Sequence, residues 1–260
     1  MEDRVAITLA DGVAEVRLAR AAKMNAIDAP MFAQIADTIA ALATRAEVRV
    51  VILSGEGNAF CAGLDMAAMA GGGSGLLTEE RTHGAANLVQ QAAWGWRTLP
   101  IPVIAAVHGV AFGGGFQIMS GADIRLAHPA TRFAIREMHW GLVPDMAGVA
   151  LWRGMVRDDV VRELTYTARE FSAEEAQAFG FVTRLTEDPM GSARDLARVI
   201  AARSPDAVRE AKGLFAVAAD GDAATILRAE SAAQLRLMRG ANQREAVMAN
   251  LEKRAARFAD

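Results

Sequence analysis

Two runs of alternating apolar and polar residues, RVAITLA and VAEVRLAR, flank Asp11-Gly12. Alternation sends side chains to the two faces of a strand, and Asp-Gly suits a tight turn with positive φ, so the spacing predicts a β-hairpin. The period then lengthens. Asp28, followed by Pro30, opens an amphipathic helix running to about Thr44, because aspartate accepts from first-turn amides and proline has no N–H to leave unpaired there. VRVVILSGEG and PVIAAVHG are unbroken apolar runs, the pattern of strands covered on both faces. FCAGLDMAAMA follows the first run as a turn entering a short helix. A long helix is expected from Thr78 to Leu99, stopped by Pro100 and Pro102. IRLA and RFAIRE are two more strand candidates.

From Met146 onward helical periodicity dominates, with one extended piece at FVTRLT. After Asp195 the chain is Ala- and Arg-rich helix without the turn chemistry of a sheet. The pattern predicts an α/β fold of repeated strand–strand–helix units over residues 1–195, with a helical capping or assembly region over 196–260. GGGSG at 71–75 is the one linker-like stretch, too short for a domain boundary and suited to a mobile loop.

Composition narrows the function. The 260 residues are 52% hydrophobic and 23% charged, ample for a core. A net charge of -3 without a basic run argues against nucleic acid and membrane surfaces as partners. A lone cysteine, Cys61, excludes an internal disulfide and fits a reducing compartment. No apolar run has the length of a signal peptide or a membrane span, so a cytoplasmic protein is expected. His83, His108, His128 and His139 show no ligand spacing, and no metal is expected.

AFGGGFQIMSGADIRLA, residues 111–127, places three glycines between a buried strand and a helix. Glycine there allows a tight turn, and it also bares the first amides of the helix, which have no internal partner and sit at the positive end of the macrodipole. VVILSGEGNAFCAGLDM repeats the device, with Ala62-Gly63 opening a helix at Leu64–Asp65. Two such turns can aim one amide each at a single developing oxyanion.

With those residues in view, IAAVHGVAFGGGFQIMSGADI resembles the signature of the crotonase (enoyl-CoA hydratase/isomerase) superfamily. GEGNAFCAGLDM is similar to its other signature, AKMNAID to its N-terminal coenzyme A contact, and the likeness runs to LEKRAARF. The resemblance implies the crotonase spiral, an acyl-CoA thioester substrate, no separate cofactor, and trimers or hexamers assembled through C-terminal helices. It implies an oxyanion hole from the amides of Leu64 and Gly114. It places Lys23, Asn25, Ala62, Asp65 and Lys253 near the coenzyme, against the plainer alternatives of solvated lysines and a first-turn carboxylate at Asp65. The loop 71–75 would then lie over the acyl pocket.

An enolate needs a proton carrier. On a strand, Phe133, Ile135 and Glu137 share one face, which would desolvate Glu137 and raise its pKa; the alternative is a solvent-facing partner of Arg132 or Arg136. The resemblance selects Glu137 as the proton-transferring glutamate. Asp145, after Pro144, either caps a helix or is the second proton carrier of the dienoyl-CoA isomerase branch. Hydratases of the family carry a glutamate where this chain has Gln117, and an amide cannot take a proton at neutral pH. Gln117 is expected to hold a water or the thioester by hydrogen bonds. Double-bond isomerisation is therefore the expected reaction. Hydration with Asp145 replacing the missing glutamate, and acyl-CoA binding without catalysis, are the alternatives.

Overall fold

The computed structural model describes residues 3–70, 76 and 78–260. The loop 71–75 expected over the acyl pocket lies outside the described residues.

The hairpin forms where the pattern puts it. Strand β1 (Val5–Ala10) pairs antiparallel with β2 (Val13–Leu18), and Asp11 and Gly12 take φ of 51° and 76°. β2 then pairs in parallel with β3 (Val50–Gly55), β3 with β4 (Val103–Val107), β4 with β6 (Ile124–Ala127), and β6 with β9 (Arg184–Leu185). A second sheet holds β5 (Val110–Phe112), β7 (Arg132–Ala134) and β8 (Glu170–Ser172). β8 was not expected from the sequence; its three residues are too few to show a period.

Side-chain alternation divides the core in two. Val51 and Leu53 of β3, with Val103, Ala105 and Val107 of β4, face one hydrophobic cluster. Val50, Ile52, Ile104 and Ala106 face the other. Both faces are covered, which explains the unbroken apolar runs. Each fully buried aliphatic side chain of this kind contributes about 1.5–3 kcal/mol.

The larger cluster is roofed by α1 (Ala29–Ala43), α3 (Leu88–Thr98), α4 (Gly114–Ser120) and α5 (Gly148–Trp152). Asp28 caps α1 by accepting from Met31 N at 3.1 Å. The helix expected from Thr78 is shorter: Asn87 and Gln90 form a capping box that starts α3 at Leu88. The smaller cluster is closed by α8 (Pro189–Ala201), whose Ala193, Ala197 and Ala201 repeat at the four-residue interval of one helix face. The expected boundary at 195/196 therefore falls inside a core-covering helix.

The short helices α2 (Met66–Ala70), α6 (Asp158–Thr167) and α7 (Ala173–Phe179) complete the body. Beyond α8 come α9 (Pro205–Ala218), α10 (Ala223–Leu237) and α11 (Ala241–Leu251). From α9, the Lys212 ammonium donates to Trp96 O at 3.0 Å, Ile101 O at 2.8 Å and Asp123 Oδ2 at 2.8 Å. Asp123 also accepts from Val103 N, so one carboxylate ties the start of β4 to the helical region. Among the described residues no helix is long and apolar enough to cross a membrane.

Candidate active site

The two glycine turns meet. Residues 61–63 run parallel to β5: Cys61 N donates to Val110 O at 3.1 Å, and Phe112 N donates to Cys61 O at 3.0 Å. Parallel chains leave a ladder at the same end, so the residues after Gly63 and those after Gly113 start side by side. On the other flank Ile27 N donates to Gly63 O, and Asp65 N to Ile27 O. Those two bonds turn the N–H of Leu64 away from Ile27. Gly114 opens α4, where a first-turn amide has no intrahelical acceptor. Among the described residues, neither amide donates to a protein acceptor.

Packing explains the glycines. Gly113 has φ of 49°, and a side chain on it would reach 3.4 Å from Glu137 Oε1. A carbon added to Gly115 would stand 2.5 Å from Cys61 O, inside contact distance. Beside Gly114 lie the Met146 sulfur and the Ile27 Cδ1. In the sequence nothing separates Met146 and Ile27 from other core residues.

Gln117, one turn into α4, is 1% exposed and bonded through both ends of its amide. Its Oε1 accepts from Met146 N at 2.9 Å and Gly148 N at 2.8 Å, and its Nε2 donates to Glu137 Oε1 at 2.6 Å. Its carbonyl is spent on two backbone amides, so of the bonds expected to a water or the thioester only one from the second Nε2 hydrogen remains open to it. Below it, Phe116 packs among the rings of Phe133, Trp152, Phe171 and Phe181, which steadies α4.

Glu137 is not on a strand. β7 ends at Ala134 because β5 and β8 each offer three residues for pairing, and Glu137 begins a 3-10 turn to Trp140. The side chain is nevertheless held inside. Burial raises its pKa above the ordinary 4.5, the charge of Asp145 adds to the rise, and neighbouring amides with Gln117 partly oppose it. Its Oε2 is buried without a hydrogen-bond partner.

Asp145 caps no helix, for α5 starts after Ala147, which has φ of 69°. It is exposed on a lip, yet enough protein surrounds its carboxyl to raise its pKa by desolvation. The neighbouring rim is apolar, with Trp140, Leu142, Val143 and Val149 all exposed.

The residues expected near the coenzyme part ways. Asn25 is buried and fully occupied: Oδ1 accepts from Arg20 N, and Nδ2 contacts the carbonyls of Glu56, Ala59 and Phe60 at 2.8–3.1 Å. It pins loops and has no side-chain group left for a ligand, a correction to its expected role. Asp65 accepts from Ala68 N and pairs with Arg20 Nη1 at 2.7 Å, capping the turn into α2. Arg20, which sequence reasoning missed, also donates to Ala26 O; only three-dimensional proximity reveals it as the organiser of this loop. Ala62 is half-buried and donates its amide to Met24 O. Lys23 and Lys253 are exposed. Cys61 is buried, its thiol pushed up to about 12 by burial, and its Sγ donates to Asn25 O. Among the described residues no group of three or more His, Cys, Asp or Glu is placed to hold a metal ion.

Comparison with known proteins identifies the family. The family model for enoyl-CoA hydratase/isomerase matches residues 8–260. YngF of Bacillus subtilis is 32% identical over 260 residues, covering 98% of each chain. The carnitinyl-CoA dehydratase of Proteus mirabilis is 34% identical over 218 residues, 83% of this chain and 81% of that one. Among solved structures, an enoyl-CoA hydratase from Bacillus anthracis superposes with a TM-score of 0.89 at 28% identity, covering 98% of this chain and 99% of its own. With family model, full-length relatives and fold in agreement, the chain belongs to the enoyl-CoA hydratase/isomerase family and is an enzyme of the crotonase superfamily.

Proposed function

We propose that this enzyme moves the double bond of an enoyl-CoA thioester. The amides of Leu64 and Gly114 hold the thioester oxygen as negative charge gathers on it. Glu137 removes a proton from the α-carbon to give a dienolate and returns a proton at the γ-carbon. No water is consumed. The reading rests on one observation: the buried carboxylate with a raised pKa, Glu137, has an amide rather than a second carboxylate as its hydrogen-bonded neighbour. A raised pKa brings a carboxylate nearer the range where it both takes and gives a proton. Hydration needs a second group to activate water, and Gln117 has no proton-accepting form at neutral pH. Asp145, whose charge acts on Glu137, serves as second proton carrier in the manner of the dienoyl-CoA isomerase branch.

Lys23 and Lys253 contact the coenzyme phosphates and nucleotide, and the Ala62–Asp65 turn adjoins the thioester end. CoA arrives within the substrate, and no separate cofactor takes part. Trimers or hexamers form through α9–α11, a reading supported by exposed Phe215, Leu227, Leu235 and Leu251. The lone cysteine supports a cytoplasmic setting.

Incubation with 3-enoyl-CoA and with 2-trans-enoyl-CoA tests the reaction. Conversion of the former to the latter is expected, with about 10²–10⁴-fold loss in Glu137→Gln. Brisk, Glu137-dependent formation of 3-hydroxyacyl-CoA would replace isomerisation by hydration. Absence of both reactions and of α-hydrogen exchange would leave an acyl-CoA binder.

A further inference from the structure

Gln117 has a single arrangement available to it. Oε1 faces two backbone N–H donors, those of Met146 and Gly148, so a flipped amide would set NH2 against N–H twice. Nε2 must therefore face Glu137, and Glu137 Oε1 must accept. Oε1 is thus committed as an acceptor, while Oε2 of the same carboxyl is buried with no partner. The same amide holds the segment 146–148 next to Asp145.

We infer that Gln117 is a positioning residue: it holds Glu137 by Oε1 so that Oε2 alone carries the proton, and it locks the turn behind Asp145 in the same grip. This deepens the reading of Glu137 as proton carrier and rests on it. The proton passes from the substrate carbon to Oε2 and back, leaving the hydrogen bond at Oε1 intact throughout. A glutamate at 117 would keep the acceptor for both amides but would oppose oxygen to oxygen at the position where Nε2 now stands 2.6 Å from Glu137. Two carboxyls at that separation share one proton. The natural residue is therefore matched to a Glu137 that has no carboxylate as its hydrogen-bonded neighbour, and a carboxylate at 117 would harm it.

Exchange of the α-hydrogens of a short-chain saturated acyl-CoA in deuterium oxide reads proton transfer whether the enzyme isomerises or hydrates. Gln117→Met, which keeps length and loses both sets of bonds, is expected to lower kcat for exchange about 10²-fold with KM little changed. Gln117→Glu is expected to raise the midpoint of the acid limb of the pH profile by at least about one pH unit. Wild-type kcat in Gln117→Met, or an unmoved profile in Gln117→Glu, overturns the inference. If Gln117→Met fails to fold, the profile of Gln117→Glu decides alone. Full exchange in Glu137→Gln would instead remove the underlying reading, a result independent of either variant at 117.

Discussion

A side-chain carbon placed on Gly63 would lie 3.6 Å from the nitrogen of Gly114 and 2.7 Å from the carbonyl oxygen of Phe112. The two turns are thus packed without room for a methyl group, and Gly63 has φ of 92° besides. Gly63→Ala must push the Leu64 turn away from α4. The expected result is a loss of about 10²–10³ in α-hydrogen exchange, the scale of one lost oxyanion donor, together with about 1–3 kcal/mol of stability from backbone strain. Exchange rates and a urea titration measure the two effects. Retention of full activity would mean the amides do not act together.

Burial is the first cause of the raised pKa of Glu137. A carboxyl whose folded pKa exceeds its unfolded value binds more protons when folded, so its contribution falls as pH rises from 4.5 through the raised value. Glu137→Gln should therefore melt higher than the parent at neutral pH, by about 2–4 °C per kcal/mol relieved, with the difference vanishing below the ordinary glutamate range. Calorimetry across pH checks the sign. A variant less stable than the parent at neutral pH would contradict it.

Asp145 raises the pKa of Glu137 through its charge. Asp145→Asn is expected to shift the acid limb of the exchange profile to lower pH, since the basic form of Glu137 then persists further down. A lowered maximum in addition would mark Asp145 as a proton carrier. A shift to higher pH would rule out the electrostatic coupling.

Asn25 contacts three carbonyls and one amide from inside the protein. Asn25→Ala leaves those groups buried and unpaired, each costing about 1–3 kcal/mol, so the midpoint of urea unfolding should fall sharply. The KM for acyl-CoA measured well below that midpoint should change little, because no side-chain group of Asn25 is free for the substrate.

Legibility in the sequence followed how local each determinant is. The Asp11-Gly12 turn and the Asp28 cap depend on neighbours in the chain, and both formed as expected. The capping box of Asn87 and Gln90 is equally local, yet the expected helix started too early, at Thr78, in a stretch that holds no proline to bar it. Glu137 was placed on the wrong element. RFAIRE alternates like a strand, yet how far it pairs is set by the lengths of β5 and β8, which the segment itself does not encode. The grip of Gln117 on residues 146–148 spans some thirty positions and has no sequence period at all. Arg20 escaped notice for the same reason, its partners Asp65 and Ala26 being assembled only by the fold.

The ammonium of Lys212 reaches from α9 to Asp123, between α4 and β6, and to the carbonyls of Trp96 and Ile101. Trimming the enzyme to a minimal catalytic fragment ending near residue 195 would strip that cation away and cut α8 in half, uncovering Val50, Ile52 and Ile104. Chemistry and appendage share one fate on denaturation: the tail is a keystone of the sheet it leans on, and the two should be lost in a single cooperative step.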